Sequence, residues 1–322
     1  MKAPAFWRAQ RPNMAARLLQ PCGALFGALV GQRMRRPGAQ VAVPVITVGN
    51  FTAGGAGKTP IAQALARRLI EAGERPAFVS RGFDDEALLL AAVAPTFVGR
   101  DRAAAALRAI EEARASVLVL DDGLQSRRIE PDLAIAVVDG ASGLGNGLCL
   151  PAGPLRAPLL AQLPHVQALV VMGPGEAGEK VAGIAQKSGV AILRAKLEPD
   201  ARARALAGRR IVAFAGIGLP EKFFRTLEDI GAQVVARRAF PDHHAFRASE
   251  LGELGALARK NHATLATTLK DAARLGANLD DESFALDGEA RASIVRVDAV
   301  FEDETAADRL FTPLFLHPQN SR

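Results

Sequence analysis

The sequence predicts an α/β fold: a mostly parallel sheet, a second and smaller α/β domain, and a helix ahead of both. Three observations predict it. Short apolar runs alternate with helical patterns along the chain, the signature of strands covered by helices. One run, Val45-Ile46-Thr47-Val48, passes into a glycine-rich loop that opens a helix at Lys58-Thr59. Another, Val117-Leu118-Val119-Leu120, ends in the paired carboxylates Asp121-Asp122.

The loop Gly49-Asn50-Phe51-Thr52-Ala53-Gly54-Gly55-Ala56-Gly57-Lys58-Thr59 reads as a phosphate cradle of the P-loop NTPase type. Glycines at 54, 55 and 57 let consecutive backbone N–H groups converge on phosphate oxygens, while Lys58 reaches the terminal phosphates. The Thr59 hydroxyl is placed for Mg²⁺, and the helix with Ile61, Leu65 and Leu69 on one face adds its positive dipole end. Thr52, Ala53, Gly54, Gly55, Ala56, Gly57, Lys58 and Thr59 are therefore the expected nucleotide-binding set. The generic pattern has glycine where Thr52 stands, and a turn that merely joins strand to helix is the competing account. Asp121-Asp122 supplies the complementary feature, a buried strand that delivers an acid to the Mg²⁺ shell.

Ahead of the loop, an apolar patch at residues 18–30 contains Leu25, Phe26, Leu29 and Val30 and is interrupted at Pro21. It is shorter than the roughly 20 residues a bilayer span needs, and it lacks the cleavage site of a signal peptide. Ten of the 40 Lys and Arg lie in residues 1–70, where there is no acid, so the rest carries 30 basic against 34 acidic residues. The net charge of +6 is thus a local basic end. Phe6-Trp7 beside Arg8, then an apolar helix flanked by arginines, reads as an element lying on an anionic membrane surface, or else as an amphipathic helix packed on the domain. Aromatic residues are too sparse there for a nucleic-acid stacking platform, so no nucleic-acid partner is expected. Cys22 and Cys149, in apolar surroundings, read as buried free thiols of a reducing compartment, and no zinc-type ligand cluster is present.

After the loop helix, Pro76-Ala77-Phe78-Val79-Ser80 is a strand whose carboxyl end carries Arg81 and the triplet Asp84-Asp85-Glu86. Ligands of open parallel sheets bind beyond such strand ends, although an acidic triplet also suits a solvated helix start. The loop from Gly145-Asn146-Gly147 to Leu150-Pro151-Ala152-Gly153-Pro154-Leu155-Arg156 is expected to border the same site. Gly173-Pro174-Gly175 and the basic run 202–210 mark a compositional shift, which divides the chain into expected domains 1–200 and 201–322. In the second, Asp242-His243-His244 falls between a strand and a helix, where a carboxylate can set an imidazole's tautomer or the histidines can be structural.

Together these motifs resemble the tetraacyldisaccharide 4′-kinase family, the lipid A 4′-kinases of Gram-negative bacteria, over nearly the whole chain. The resemblance is carried by Phe6-Trp7, the P-loop with Thr at 52, Ser80-Arg81-Gly82, Gly99-Arg100-Asp101-Arg102, Asp121-Asp122-Gly123-Leu124-Gln125, Gly145-Asn146-Gly147, 150–156 and Asp242-His243. It implies transfer of the ATP γ-phosphoryl group, with Mg²⁺, to the 4′-hydroxyl of a lipid A disaccharide 1-phosphate at the cytoplasmic face of the inner membrane. No obligate protein partner is implied. Asp85 maps onto the family's base, acting with His243; Lys58 is catalytic; Glu86 joins Thr59, Asp121 and Asp122 at the metal; Arg81, Asn146 and Arg156 meet the substrate. The sequence departs from the family between Gly82-Phe83 and Asp85-Glu86, where members carry a glycine-rich segment of about twenty residues. Ala87, Ser126, Ala157 and Leu269 stand where the family has Pro, His, Glu and Glu. A membrane-associated P-loop ATPase switch without a lipid acceptor, or a kinase relic impaired by the shortened 82–86 loop, are the alternative functions.

Overall fold

The computed structural model describes residues 4–9, 11–82, 85–287 and 290–311. Lys2, Phe83 and Asp84 lie outside the described residues. The chain forms two compact units. One takes in the described residues of Met1–Gly82, Val93–Leu197 and Ala299–Arg322; the other takes in those of Phe83–Ala92 and Glu198–Asp298.

In chain order the elements are α1 (Met14–Met34), β1 (Val45–Asn50), α2 (Lys58–Glu71), β2 (Pro76–Ser80), α3 (Asp85–Ala91), β3 (Thr96–Val98), α4 (Arg102–Glu112), β4 (Val117–Asp121) and β5 (Leu133–Asp139). There follow α5 (Leu159–Gln162), β6 (Ala168–Met172), α6 (Glu176–Lys187), β7 (Ala191–Pro199), α7 (Ala201–Arg204), β8 (Arg210–Ala215), α8 (Pro220–Asp229) and β9 (Gln233–Ala239). The last are α9 (Ala248–Lys260), β10 (Thr264–Thr268), α10 (Leu269–Arg274), β11 (Ser283–Asp287), β12 (Ala290–Val295), β13 (Val297–Phe301) and α11 (Glu304–Phe311).

The first unit is built on a sheet ordered β13-β7-β6-β5-β1-β4-β2-β3, parallel from β7 through β3. Every residue of β1 is buried, as a central parallel strand covered on both faces requires. Alternation along the strands divides the core. Leu118 and Leu120 pack with Ala105, Ala106 and Ala109 of α4, whereas Ala134, Ala136 and Val138 pack with Val181, Ala182 and Ala185 of α6. The chain leaves β1 for β2 and β3, returns to β4 on one side of β1, and crosses to β5 on the other. The carboxyl end of β1 is thus the point where strand order reverses, the ligand crevice of open α/β sheets.

The N-terminal helix differs from the sequence expectation in three ways. Pro21 lies inside α1, which runs 21 residues instead of breaking there. Among the described residues it is the one helix long and apolar enough, by length and composition, to cross a membrane. Cys22 is exposed on it, while Cys149 is buried. The cause is a seam of small residues. Ala16, Gly23, Gly27 and Gly31 form the buried face with Met34, and a Cβ on Gly23 or Gly27 would fall 2.6 Å from the Cys149 oxygen or 2.7 Å from its Sγ. That close seating offsets the hydrogen bond lost at Pro21 and leaves Leu18, Leu25 and Leu29 outside, each more than half exposed.

The second unit has its own sheet, β11-β12-β10-β8-β9, parallel apart from the β11–β12 pair. Ile211, Ala213 and Ala215 of β8 face Phe223, Phe224 and Leu227 of α8, and the alternate residues Val212 and Phe214 face Leu254 and Ala258 of α9.

Candidate active site

The glycine-rich loop leaves the carboxyl end of β1 and is held from below. Asn50 donates through Nδ2 to the Gly54 oxygen (2.9 Å), and Gln125 donates through Nε2 to the Asn50 oxygen (2.7 Å) and to Gln162 Oε1 (2.9 Å). Ala53 N–H donates to the Pro154 oxygen (2.7 Å), and Arg156 N–H to the Phe51 oxygen (2.9 Å). The loop 150–156 is therefore a brace for Thr52 and Ala53. Gly54 (φ 119°) and Gly57 (φ 92°) take left-handed conformations that L side chains rarely adopt. A Cβ on Gly54 or Gly55 would meet nothing within 4 Å, so this side of the loop is open. Gly57 is the N-cap of α2 and no side chain caps it, which leaves first-turn N–H groups for an anion.

Around the open loop stand the predicted charges. Lys58 Nζ lies 3.8 Å from Asp122 Oδ1, and Arg156 Nη2 donates to Asp122 Oδ2 at 2.9 Å. Ala56 and Thr59 are buried at the start of α2, and Asp121 is buried at the end of β4. Asp122 follows in a left-handed conformation (φ 53°), its N–H donating to the Val48 oxygen at 2.8 Å. The strand end is fixed by Arg102, 5% exposed, which donates to Ser126 Oγ (2.7 Å), the Asp121 oxygen (2.9 Å) and the Asp122 oxygen (3.1 Å). Burial pulls the Arg102 pKa down, against the opposing charges of Asp122 and Asp121. Arg81 is exposed beyond β2. Asn146 is buried in its own loop, donating to the Ala152 (2.9 Å) and Phe6 (3.2 Å) oxygens and accepting from Leu148 N–H (3.1 Å), so its polar atoms are engaged within the protein.

The second unit holds the other predicted group. Asp85, at the start of α3, accepts on Oδ2 from His243 Nδ1 (2.9 Å) and from Arg274 Nε (2.7 Å). Burial alone raises the Asp85 carboxyl, but the hydrogen bonds and charges of Arg274 and His243 outweigh it and leave the group below its ordinary range. Glu86 Oε1 is 3.2 Å from Lys270 Nζ. The two adjacent histidines part company. His243 is 63% exposed with a left-handed backbone (φ 58°), whereas His244 stacks on Phe240, meets Phe246 edge-on and binds Glu250 at 2.9 Å.

The structure thus forms two groups: Thr52 to Thr59 with Asp121, Asp122 and Arg156 in one unit, and Asp85, Glu86 and His243 in the other. Asn146 is bonded to Phe6, Leu148 and Ala152, and Arg81 stands exposed at the strand end. Arg102 and Gln125 lie in motifs that carry the resemblance but have no role assigned by it, and Gln162, Asp271 and Arg274 are not marked by residue type. The Thr268-x-x-Asp271 capping pair and the Asp271–Arg274 spacing on one helix face are signals that point to the last two. Among the described residues no three His, Cys, Asp or Glu are grouped to hold a metal. A P-loop Mg²⁺ needs less from the protein: a hydroxyl and a carboxylate or two, with phosphate and water completing the shell.

The family model for tetraacyldisaccharide-1-P 4′-kinase matches residues 15–84 and 83–314. A tetraacyldisaccharide 4′-kinase of Methylobacterium nodulans is 51% identical over 86% of this chain and 88% of its own. One of Methylorubrum extorquens (strain PA1) is 47% identical over 98% and 100%. Among solved structures, the "apo" form of LpxK from Aquifex aeolicus in complex with ATP superposes with a TM-score of 0.71 at 24% identity, covering 94% of this chain and all of that one. That likeness carries the fold.

Proposed function

The chain belongs to the tetraacyldisaccharide-1-P 4′-kinase family, and on that premise we infer that it transfers the γ-phosphoryl group of ATP to the 4′-hydroxyl of a tetraacyldisaccharide 1-phosphate. The observation that carries the inference is an open glycine loop with Lys58 3.8 Å from Asp122, in a chain about half identical to such kinases. The ATP phosphates rest on the N–H groups of the loop and the first turn of α2, with Lys58 on the terminal phosphates. Lys58 and Arg156 both neutralise Asp122. Phosphate competes for these cations and frees the carboxylate.

Thr59, Asp121 and Asp122 fit Mg²⁺ as one hydroxyl and two carboxylates side by side at a phosphate cradle. Bound there, the ion would neutralise charge on the β- and γ-phosphates. Glu86 enters as the partner of Lys270. The acceptor hydroxyl gives its proton to the Asp85–His243 pair, and its oxygen forms a bond to γ-phosphorus as the bond to the bridging oxygen breaks. That electron pair leaves with ADP. Arg81, exposed at the strand end, is available to the lipid's phosphate, and Asn146 shapes the loop that carries Arg156.

The acceptor is a lipid, and α1 supports its approach. Leu18, Leu25, Phe26 and Leu29 are exposed between Arg17 and the Arg33, Arg35, Arg36 group, an arrangement suited to an anionic leaflet of the inner membrane at its cytoplasmic face. The burial of Ala16, Gly23, Gly27, Gly31 and Met34 on the first unit supports a helix that lies on the membrane surface.

The test incubates the purified protein with ATP, Mg²⁺ and tetraacyldisaccharide 1-phosphate in detergent micelles. The expected product is heavier by one phosphoryl group. ATP hydrolysis with no phosphorylated lipid would instead make the protein an ATPase switch, and ATP binding with no reaction would make it a relic.

A further inference from the structure

Arg274 closes α10 with a side chain only 11% exposed, and its guanidinium is fully engaged. Nη1 donates to Asp271 Oδ1 (2.8 Å) and to the Gly216 oxygen (2.6 Å). Nε and Nη2 reach the same Asp85 oxygen, Oδ2, at 2.7 and 2.5 Å, and it is this oxygen that meets His243 Nδ1. The pair also ties α3 to α10, the elements that carry Asp85 and Arg274. The guanidinium and the imidazole thus share one carboxylate oxygen, and Nη2 lies 3.4 Å from Nδ1 itself, so Arg274 sets where the imidazole meets Asp85.

The support behind Arg274 is buried. Asp271 is fully buried, accepts on Oδ2 from Gly216 N–H (3.0 Å) and Thr268 Oγ1 (2.8 Å), and so presents Oδ1 to the guanidinium. The Gly216 oxygen that takes Arg274 Nη1 also accepts His243 N–H at 3.1 Å, so the ring's backbone and its carboxylate partner are tied to one point. An ionised carboxylate only accepts hydrogen bonds, so the network places a hydrogen on Nδ1, and the neutral imidazole then carries its lone pair on Nε2. Nε2 is 4.0 Å from Asp242 Oδ2, beyond hydrogen-bond distance, on a ring open to solvent.

We propose that Arg274, braced by Asp271, is a positioning residue: it locks the Asp85 carboxylate against Nδ1 of His243 and leaves Nε2 to take the acceptor's proton. The proton passes from the hydroxyl oxygen to Nε2, and the Nδ1–H bond stays on Asp85 throughout. The proposal rests on the lipid kinase assignment above.

The test compares full-length wild type, Arg274→Ala and Arg274→Lys for kcat, for KM of both substrates and for thermal melting. Arg274→Ala lowers kcat about 10²-fold, the scale of a misplaced general base, with KM for ATP unchanged. Added guanidinium ion restores turnover to Arg274→Ala and does nothing for Asp85→Ala. Wild-type turnover in Arg274→Ala, or a loss that guanidinium leaves untouched, overturns the proposal. If Arg274→Ala does not fold, Arg274→Lys decides: reduced kcat at unchanged melting supports the role, and unchanged kcat overturns it. Wild-type protein that makes no phosphorylated lipid overturns the kinase assignment itself, whereas an active wild type with an unaffected Arg274→Ala overturns only the role of Arg274.

Discussion

Replacing Arg102 with alanine should destabilise the first unit and loosen the acid pair together. The guanidinium is buried and donates at 2.7, 2.9 and 3.1 Å to Ser126 Oγ and to the Asp121 and Asp122 oxygens. Each charge-assisted bond contributes roughly 1.5–3 kcal/mol, offset by the cost of burying the charge. Removing the cation while its partners stay buried is expected to cost about 3–5 kcal/mol. With a urea slope of about 2–3 kcal/mol/M, the unfolding midpoint falls by roughly 1–2.5 M. Trp7 is the chain's one tryptophan, and its Nε1 donates to the Pro151 oxygen at 3.0 Å, so its fluorescence reports on this unit. Arg102→Lys can satisfy one of the three acceptors, which puts its midpoint nearer to alanine than to wild type. ATP affinity should fall in both variants. A midpoint for Arg102→Ala within the roughly 10–15% error of extrapolation would refute the reasoning.

Lys58→Ala should retain its far-ultraviolet circular dichroism spectrum and lose lipid phosphorylation, since the residue is partly exposed and pairs with Asp122 at only 3.8 Å; retained turnover would remove it from the site. Leu18→Gln/Leu25→Gln/Leu29→Gln should lose binding to vesicles containing anionic lipid, each side chain surrendering about 1.5–3 kcal/mol of apolar burial, while phosphorylation of a detergent-dispersed acceptor persists. Undiminished flotation with vesicles would exclude α1 as the docking face. Asp85 has a folded pKa below its unfolded value of about 3.9. Its contacts therefore contribute fully above that value, and the contribution is lost as pH falls through the folded pKa. Asp85→Asn should flatten the acid limb of the stability curve there, and an unchanged limb would show that Arg274 and His243 do not stabilise the charge.

The elements that carry phosphate chemistry are legible because their signals are local. Apolar strand, glycines and Gly57-Lys58-Thr59 specify β1, loop and α2 within a few residues, and Val117-Leu118-Val119-Leu120 before Asp121 specifies β4. What holds them is not local. Gln125 and Gln162 reach the loop's carbonyls from elsewhere in the chain, and neither residue type announces such a role. The return of the chain to the first unit at Ala299, and the excursion of α3 into the second, leave no mark in composition because both are set by packing. Pro21 misleads for the same reason: local propensity ends a helix that the seam of Gly23, Gly27 and Gly31 continues.

Three residues that depart from the expected motif pattern have a physical account in the structure. Ala157, in place of Glu, is fully buried in the core of the first unit, with its oxygen accepting Gln162 Nε2 at 2.6 Å. A glutamate there would bring a charge into that core. Ser126, in place of His, is small enough to receive Arg102 at 2.7 Å, and it does so without adding a titrating group beside the acid pair. Leu269, in place of Glu, packs against the core of the second unit at the start of α10, one residue ahead of Lys270. The Lys270 ammonium is met by Glu86, the residue that follows Asp85. The Glu86–Lys270 and Asp85–Arg274 pairs both fix α3 to α10, which seats Asp85 against His243.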